Sequence, residues 1–238
     1  MLVKTRGIVL SHINYAETSI IVHIYTEELG RQAYIVNSVR SAKKKNLLAL
    51  LQPLTILDLE VYHKNKKELH RIKELKIHWP FKTIPFHPVR RAITFFITEL
   101  LTKSLREEEA NNHLFQYLMQ SIQAMDEGIP GENNFHLYFM LQLTRFLGFF
   151  PQEIQQMPYF DLQSGRFSTT KPIHNHYLTE GTNEYWKELL NTNLDNIDQQ
   201  KWNTAIRQQL IDSLETFYQL HMPGFGHLKS HHVLHQIF

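Results

Sequence analysis

The sequence predicts an α+β protein. A small five-stranded β-barrel fills residues 1–80, and an all-helical domain follows over 81–238, with a β-hairpin inserted at about 158–170. Three observations predict this. Apolar residues recur with a period of two before residue 79 and with a period of 3.6 after Pro88. The first part reads three strands, a short helix, then two strands. Residues 79–88 hold three prolines in ten positions, which neither a helix nor a central strand accommodates, so the boundary falls there.

The strands follow from alternation. Ser19 to Thr26 sets Ile20, Val22 and Ile24 on one face and Ile21, His23 and Tyr25 on the other. Glu28-Leu29-Gly30 turns the chain, and Arg31 to Val36 returns. Leu54 to Tyr62 directs Leu57, Leu59 and Val61 inward and Asp58 and Glu60 outward. His63-Lys64-Asn65-Lys66 is the next turn. Lys67 to Ile77 carries Leu69, Ile72 and Leu75 at helical spacing, but its hairpin position favours a strand with a bulge. Asn46 to Gln52, closed by Pro53, is the short helix, and Leu47, Leu50 and Leu51 would plug the barrel's open end. This order is that of the Greek-key barrel called the OB-fold, a frequent binder of single-stranded nucleic acid.

The helices follow from stripes. After Pro88, Val89, Ile93, Phe96, Ile97, Leu100 and Leu101 share one face. Leu114, Leu118, Ile122 and Met125 mark a second helix, ended by Gly128-Ile-Pro-Gly131. Residues 132–148 are apolar nearly all round, which places that helix at the centre of a bundle. Trp202, Ile206, Leu210, Leu214 and Phe217 line a helix over about 199–221, and a short helix carries 227–238. Between them, Tyr159 to Ser168 reads as a hairpin with a Ser-Gly turn.

Composition narrows the function. The 238 residues are 42% hydrophobic and 20% charged, as in a globular protein. With no cysteine, disulfides, thiol nucleophiles and thiolate zinc sites are excluded. No apolar run reaches the length of a membrane span and no signal peptide is apparent, so a cytoplasmic, nucleoid-associated location is expected. The net charge of +2 hides an asymmetry, since residues 1–82 carry 14 Lys/Arg against 7 Asp/Glu. A basic module of this kind suits a polyanion, although a basic solvated surface has the same composition.

The candidate cations are Lys4 and Arg6 on the first strand, Arg31 on the third, and Arg40, Lys43, Lys44 and Lys45 before the plug helix. Lys64, Lys66 and Lys67 sit in the following hairpin turn, with Arg71 and Lys73 on the last strand. Flexible cations at repeated spacing suit backbone phosphates, which demand no exact geometry. Tyr15, Tyr25, Tyr34 and Tyr62 could stack on bases or pack the barrel. His227, His231 and His235 share a helix face, but no carboxylate completes a catalytic site and H-E-x-x-H is absent. G-x-S-x-G, P-loop and G-x-G-x-x-G motifs are absent too, so no enzyme reading gains support and no cofactor or metal is expected.

Thr5-Arg-Gly-Ile-Val-Leu10, Tyr15-Ala-Glu-Thr-Ser and Tyr25-Thr-Glu-Glu-Leu-Gly30 resemble the opening strands of the bacterial recombination mediator family RecO. Val39-Arg-Ser-Ala-Lys-Lys-Lys45 resembles its basic loop, and Leu51-Gln-Pro-Leu54 the approach to its fourth strand. Ile206-Arg-Gln-Gln-Leu through His221, with Leu228-Lys-Ser230 and Val233-Leu234, resembles its closing helices. Order and spacing across both ends of the chain carry the resemblance.

The resemblance implies an OB domain and a helical domain that bind single- and double-stranded DNA and anneal complementary strands. It implies partnership with RecR in loading RecA onto strands coated by single-stranded-DNA-binding protein (SSB), without enzymatic activity. Many members carry a four-cysteine zinc element. Here Pro158 to Ser168 takes about that place, His174 and His176 cannot replace four thiolates, and packing by Tyr159, Phe160 and Phe167 is expected instead. The family's SSB partner ends in an acidic, Phe-terminated tail, for which Arg145, Arg207 and Lys229 beside apolar helix faces are the candidate receptor. The alternative is an OB-fold protein of RNA or the ribosome, set apart by preference for structured RNA and by absence of annealing.

Overall fold

The structure is a computed structural model that describes residues 1–37, 39, 45–64, 67–106, 109–152, 157–179, 181–231 and 234, without the side chains of Lys45 and Asn46. The chain forms two compact units. One comprises Met1–Phe86 with Leu101–Glu127, the other His87–Leu100 with Gly128–Phe238. Helix α2 (Pro88–Ser104) contributes residues to both.

The first unit holds a closed barrel of β1 (Leu2–Tyr15), β2 (Ser19–Thr26), β3 (Gly30–Val36), β4 (Ile56–Tyr62) and β5 (Leu69–Trp79), in the order β1-β2-β3-β5-β4. Closure depends on β1, whose 14 residues pair with β4 along Leu2–Ile8 and with β2 along Gly7–Tyr15. A register shift between Val9 and Ser11 bends β1 from one neighbour to the other. The barrel joins β3 to β5 in parallel, Ala33 opposite Leu69 and Ile35 opposite Arg71. All five strands match the predicted OB-fold, including the bulged β5, which shifts register opposite Glu60/Val61.

Alternation holds inside the barrel. Val9, Ile20, Val22, Ile24, Tyr34 and Leu57 are fully buried, each contributing about 1.5–3 kcal/mol by leaving water. At Gly7 a Cβ would lie 2.6 Å from the Ile24 side chain and 2.7 Å from that of Leu59, so only glycine lets the walls meet. The plug helix α1 (Lys45–Leu50) sets Leu47, Leu48 and the following Leu51 against this core. Leu48 takes the place expected of Leu50, which lies outside that cluster.

Helix α3 (Asn112–Glu127) belongs to the same unit. Its Phe115 stacks on Tyr25 at 6.4 Å between centroids. Its Asp126, fully buried, gathers the chain as it leaves β5. The carboxylate accepts the Trp79 indole N–H at 3.2 Å and the backbone N–H groups of Lys82, Thr83 and Ile84 at 2.9–3.1 Å. The Thr83 hydroxyl donates to the Asp126 carbonyl.

In the second unit α4 (Glu132–Phe146) is buried on most sides, as its composition predicts. It packs with α5 (Thr182–Leu190), a 3-10 turn at Ile197–Gln199 and α6 (Thr204–His221). The buried Tyr218 hydroxyl donates to the Met140 carbonyl at 2.8 Å. The expected hairpin is a three-stranded sheet: β6 (Tyr159–Asp161) pairs with β7 (Arg166–Ser168) and also with β8 (Tyr177–Leu178). Phe160 sits 4.8 Å from both Phe167 and Trp186 and 6.2 Å from Phe217, so aromatic packing holds this sheet. Half-buried Tyr159 meets Tyr177 edge-on. Helix α5 went unpredicted because its nine residues offer only Trp186 and Leu189 as a fully buried stripe. The final helix lies mostly outside the described residues. Its lead-in is fixed by Glu99, which accepts the backbone N–H groups of Lys229 and Ser230 and the Ser230 hydroxyl.

Asp126→Asn is expected to destabilise the protein by about 2–3 kcal/mol, measured by urea unfolding, because an acceptor of several buried N–H groups is lost. Burial pushes this carboxyl up, but the Ile84, Lys82 and Thr83 amides and the Trp79 indole outweigh it, and the net direction is down. Its contribution is therefore present above the ordinary aspartate range and is lost as pH falls through the depressed value. The variant should show a shallower acid limb.

Candidate nucleic-acid interface

The barrel presents two outer faces of different chemistry. On β1-β4-β5 the register sets Lys4 opposite Glu60 and Arg6 opposite Asp58, with Glu74 and Lys76 next across. Acids here match the bases. Arg6 donates from Nε and Nη2 to the two oxygens of Glu27, at 2.8 and 2.5 Å. That fork holds the guanidinium above its ordinary range and the Glu27 carboxyl below its own. Arg6 also lies 5.5 Å over the Phe115 ring. Lys73 pairs with Glu60 at 2.7 Å, Lys76 with Glu74 at 3.0 Å, and His78 with Asp58 at 2.9 Å. The groove on this face collects five carboxylates, from Glu27, Glu28, Asp58, Glu60 and Glu74, against three cations. A polyanion gains little there.

On β1-β2-β3-β5 the outward residues form an aliphatic row. Ile13 faces Ile21, Ile21 faces Ile35, and Ile35 faces Arg71. Ile13 is 54% exposed, which is unusual for isoleucine and leaves apolar surface in water. A groove of about 530 Å³ runs beside this row, between Ile13, Ile21 and Leu69, with Arg31, Glu68 and Arg106 also on its walls. Arg31 donates from Nη1 to the carbonyls of Thr102 and Leu105 at 3.0 and 2.6 Å, which satisfies the end of α2. Arg106 Nε donates to the Lys103 carbonyl. Burial, then the neighbouring Arg106 charge, lowers Arg31 from its ordinary value. Burial, then Arg31, lowers His23, which also lines the groove and is neutral at pH 7.

The structure therefore divides the predicted cations. Arg31 and Arg71 lie along the aliphatic face, and exposed Lys64 and Lys67 occupy the turn that leads into Leu69. Lys4, Arg6 and Lys73 lie on the charge-matched face. Arg40, Lys43, Lys44 and Lys66 lie outside the described residues, as does the side chain of Lys45. Of the four tyrosines, Tyr25 and Tyr34 are buried, whereas Tyr15 and Tyr62 are about half exposed at strand ends. Sequence reasoning missed Arg106 as a groove residue because it lies past the barrel. The face itself was legible, since Ile21 and His23 alternate with the core.

In the second unit Arg145 lies 3.5 Å over the Phe150 ring and is exposed. Arg207 donates to the Trp202 carbonyl at 2.5 Å, and burial lowers it. The Lys229 side chain is exposed, beside a backbone that Glu99 holds. Among the described residues no group of three or more His, Cys, Asp or Glu could hold a metal ion. His227 and His231 turn their Nδ1 atoms to Glu215 and to the Leu228 carbonyl, and His235 lies outside the described residues. Among the described residues no helix is long and apolar enough to cross a membrane.

Comparison with known proteins bears on both units. Residues 1–81 match the family model described as Recombination protein O N terminal, and residues 86–232 match Recombination protein O C terminal. Proteins named DNA repair protein RecO match over their whole length and that of this chain. That of Azobacteroides pseudotrichonymphae is 34% identical over 240 residues, that of Phocaeicola vulgatus 36%, and that of Flavobacterium psychrophilum 38%.

The two barrel faces should respond differently to substitution. Arg6→Ala strands the Glu27 carboxylate and is expected to cost about 1–3 kcal/mol in chemical denaturation. Lys73→Ala removes an exposed pair and should leave the unfolding midpoint unchanged.

Proposed function

The chain belongs to the RecO family of DNA repair proteins, and from that membership we propose that it is a non-catalytic recombination mediator. It binds single- and double-stranded DNA, anneals complementary strands and, with RecR, helps load RecA on SSB-coated single strands. It acts in the cytoplasm, at the nucleoid. The observation that carries this reading is the barrel's aliphatic face, flanked by Arg31, Lys64, Lys67 and Arg71. Cations at this edge screen phosphates, and the face between them offers bases no aromatic clamp.

Annealing needs that combination. Two backbones repel each other until cations screen them, and the bases must stay available to pair. Deep base-specific pockets would hinder the second requirement. Lys4, Arg6, Arg40, Lys43, Lys44, Lys45, Lys66 and Lys73 complete the proposed DNA contacts, with Arg6 and Lys73 contributing least because acids already hold them. Arg145, Arg207 and Lys229 are the proposed receptor for the SSB tail, Arg207 acting in part by fixing the lead-in to α6.

The test is annealing of complementary oligonucleotides, bare and SSB-coated, with binding followed across a salt series. Acceleration with a steep salt slope is expected. Preference for structured RNA without annealing would overturn the reading in favour of an RNA-directed OB protein. Replacing Lys43, Lys44 and Lys45 by alanine should weaken binding to all sequences and flatten the slope by about 2–3. Lys229→Glu should spare DNA binding and weaken capture of an SSB tail peptide.

A further inference from the structure

Arg31 and Arg106 bring two guanidinium groups to one end of the aliphatic groove on the first unit. Each is held in place by helix-end carbonyls, Arg31 by Thr102 and Leu105 and Arg106 by Lys103. Like charges set side by side raise each other's energy, and an anion between them relieves it. Glu68 supplies one carboxylate on the same groove, which leaves one positive charge in excess. The opposite wall is apolar: Ile13, Ile21 and Leu69. An inorganic anion would use only the cations. A nucleotide uses both walls, its phosphate at the arginines and its base on the aliphatic row.

We propose that this groove is a seat for single-stranded DNA, with a phosphodiester between Arg31 and Arg106 and the attached base lying flat on Ile13, Ile21 and Leu69. The inference rests on the DNA-binding reading above and adds to it a single-strand-selective site and a new contact, Arg106. Selectivity follows from the apolar wall. A duplex keeps its base faces stacked inside the helix and presents only phosphates, so it reaches the cations but not the isoleucines. An aliphatic wall also holds a base without a hydrogen-bond pattern, so the seat is tolerant of sequence and releases the base readily for pairing.

The test uses the full-length protein with a fluorescent oligo-dT and a duplex of equal length, by anisotropy across a salt series. Ile13 and Arg106 are exposed, so their variants are expected to fold, and circular dichroism checks this. Ile13→Ser should lower oligo-dT affinity about three- to fivefold, leave its salt slope unchanged and leave duplex affinity unchanged. Arg106→Ala should lower the oligo-dT slope by about 0.7. Oligo-dT affinity unaffected by Ile13→Ser, or equal losses for strand and duplex, would overturn the seat. If Lys64→Ala and Lys67→Ala still weakened binding in that case, the DNA-binding reading would stand. A wild-type protein that binds neither probe at low salt would overturn both.

Discussion

A single carboxylate organises the barrel unit. Asp126 lies on α3, far along the chain from β5, yet it collects the Trp79 indole and three consecutive backbone N–H groups from the segment that leaves the barrel. That segment contains Pro80 and Pro85, so it has few regular hydrogen-bonding options of its own. One ion replaces the missing ladder. With α3 held at its last turn, its earlier turns are aimed. Phe115 covers Tyr25, and Gln116 and Met119 reach the Arg6–Glu27 pair. The helix thereby takes up one part of the barrel surface and leaves the β1-β2-β3-β5 face open.

The charge pattern shows why formal charge is a poor map of an interface. Residues 1–82 are strongly basic, yet the cations on β1 and β5 face Glu27, Asp58, Glu60 and Glu74 across the barrel wall. Register decides this, because neighbouring strands set outward residues about 5 Å apart and opposite charges placed there pair. Turn lysines have no strand partner and keep their field. The basic excess is thus concentrated in loops, while the wall between them is close to neutral or acidic.

Much of the fold was legible because its determinants are local. Period-two runs gave all five barrel strands, and the proline cluster marked the change to helices. What stayed hidden depends on distance in the chain. β8 has two residues and no pattern, and it exists only because β6 is there to pair with. Leu48 replaces Leu50 in the plug because the angle of a six-residue helix against a barrel mouth is set by packing, not by periodicity. The groove was half visible: alternation named Ile21 and His23, but Arg106 reaches it only through the path of α2. The buried fates of Tyr25 and Tyr34 likewise needed Phe115 and the barrel interior.

The clamp on Trp79 also has an optical consequence. Its indole N–H binds an ionised carboxylate, and the Lys82 ammonium lies 5.0 Å over its ring. Both charges perturb indole emission, so this tryptophan reports whether α3 is docked. Trp186 and Trp202 lie in the other unit, bonded to Ser213 and Glu188. None of the three lines the aliphatic groove. Intrinsic fluorescence therefore reads the integrity of the two units separately from the state of the groove, and a signal from a strand in the groove requires an indole placed there by design.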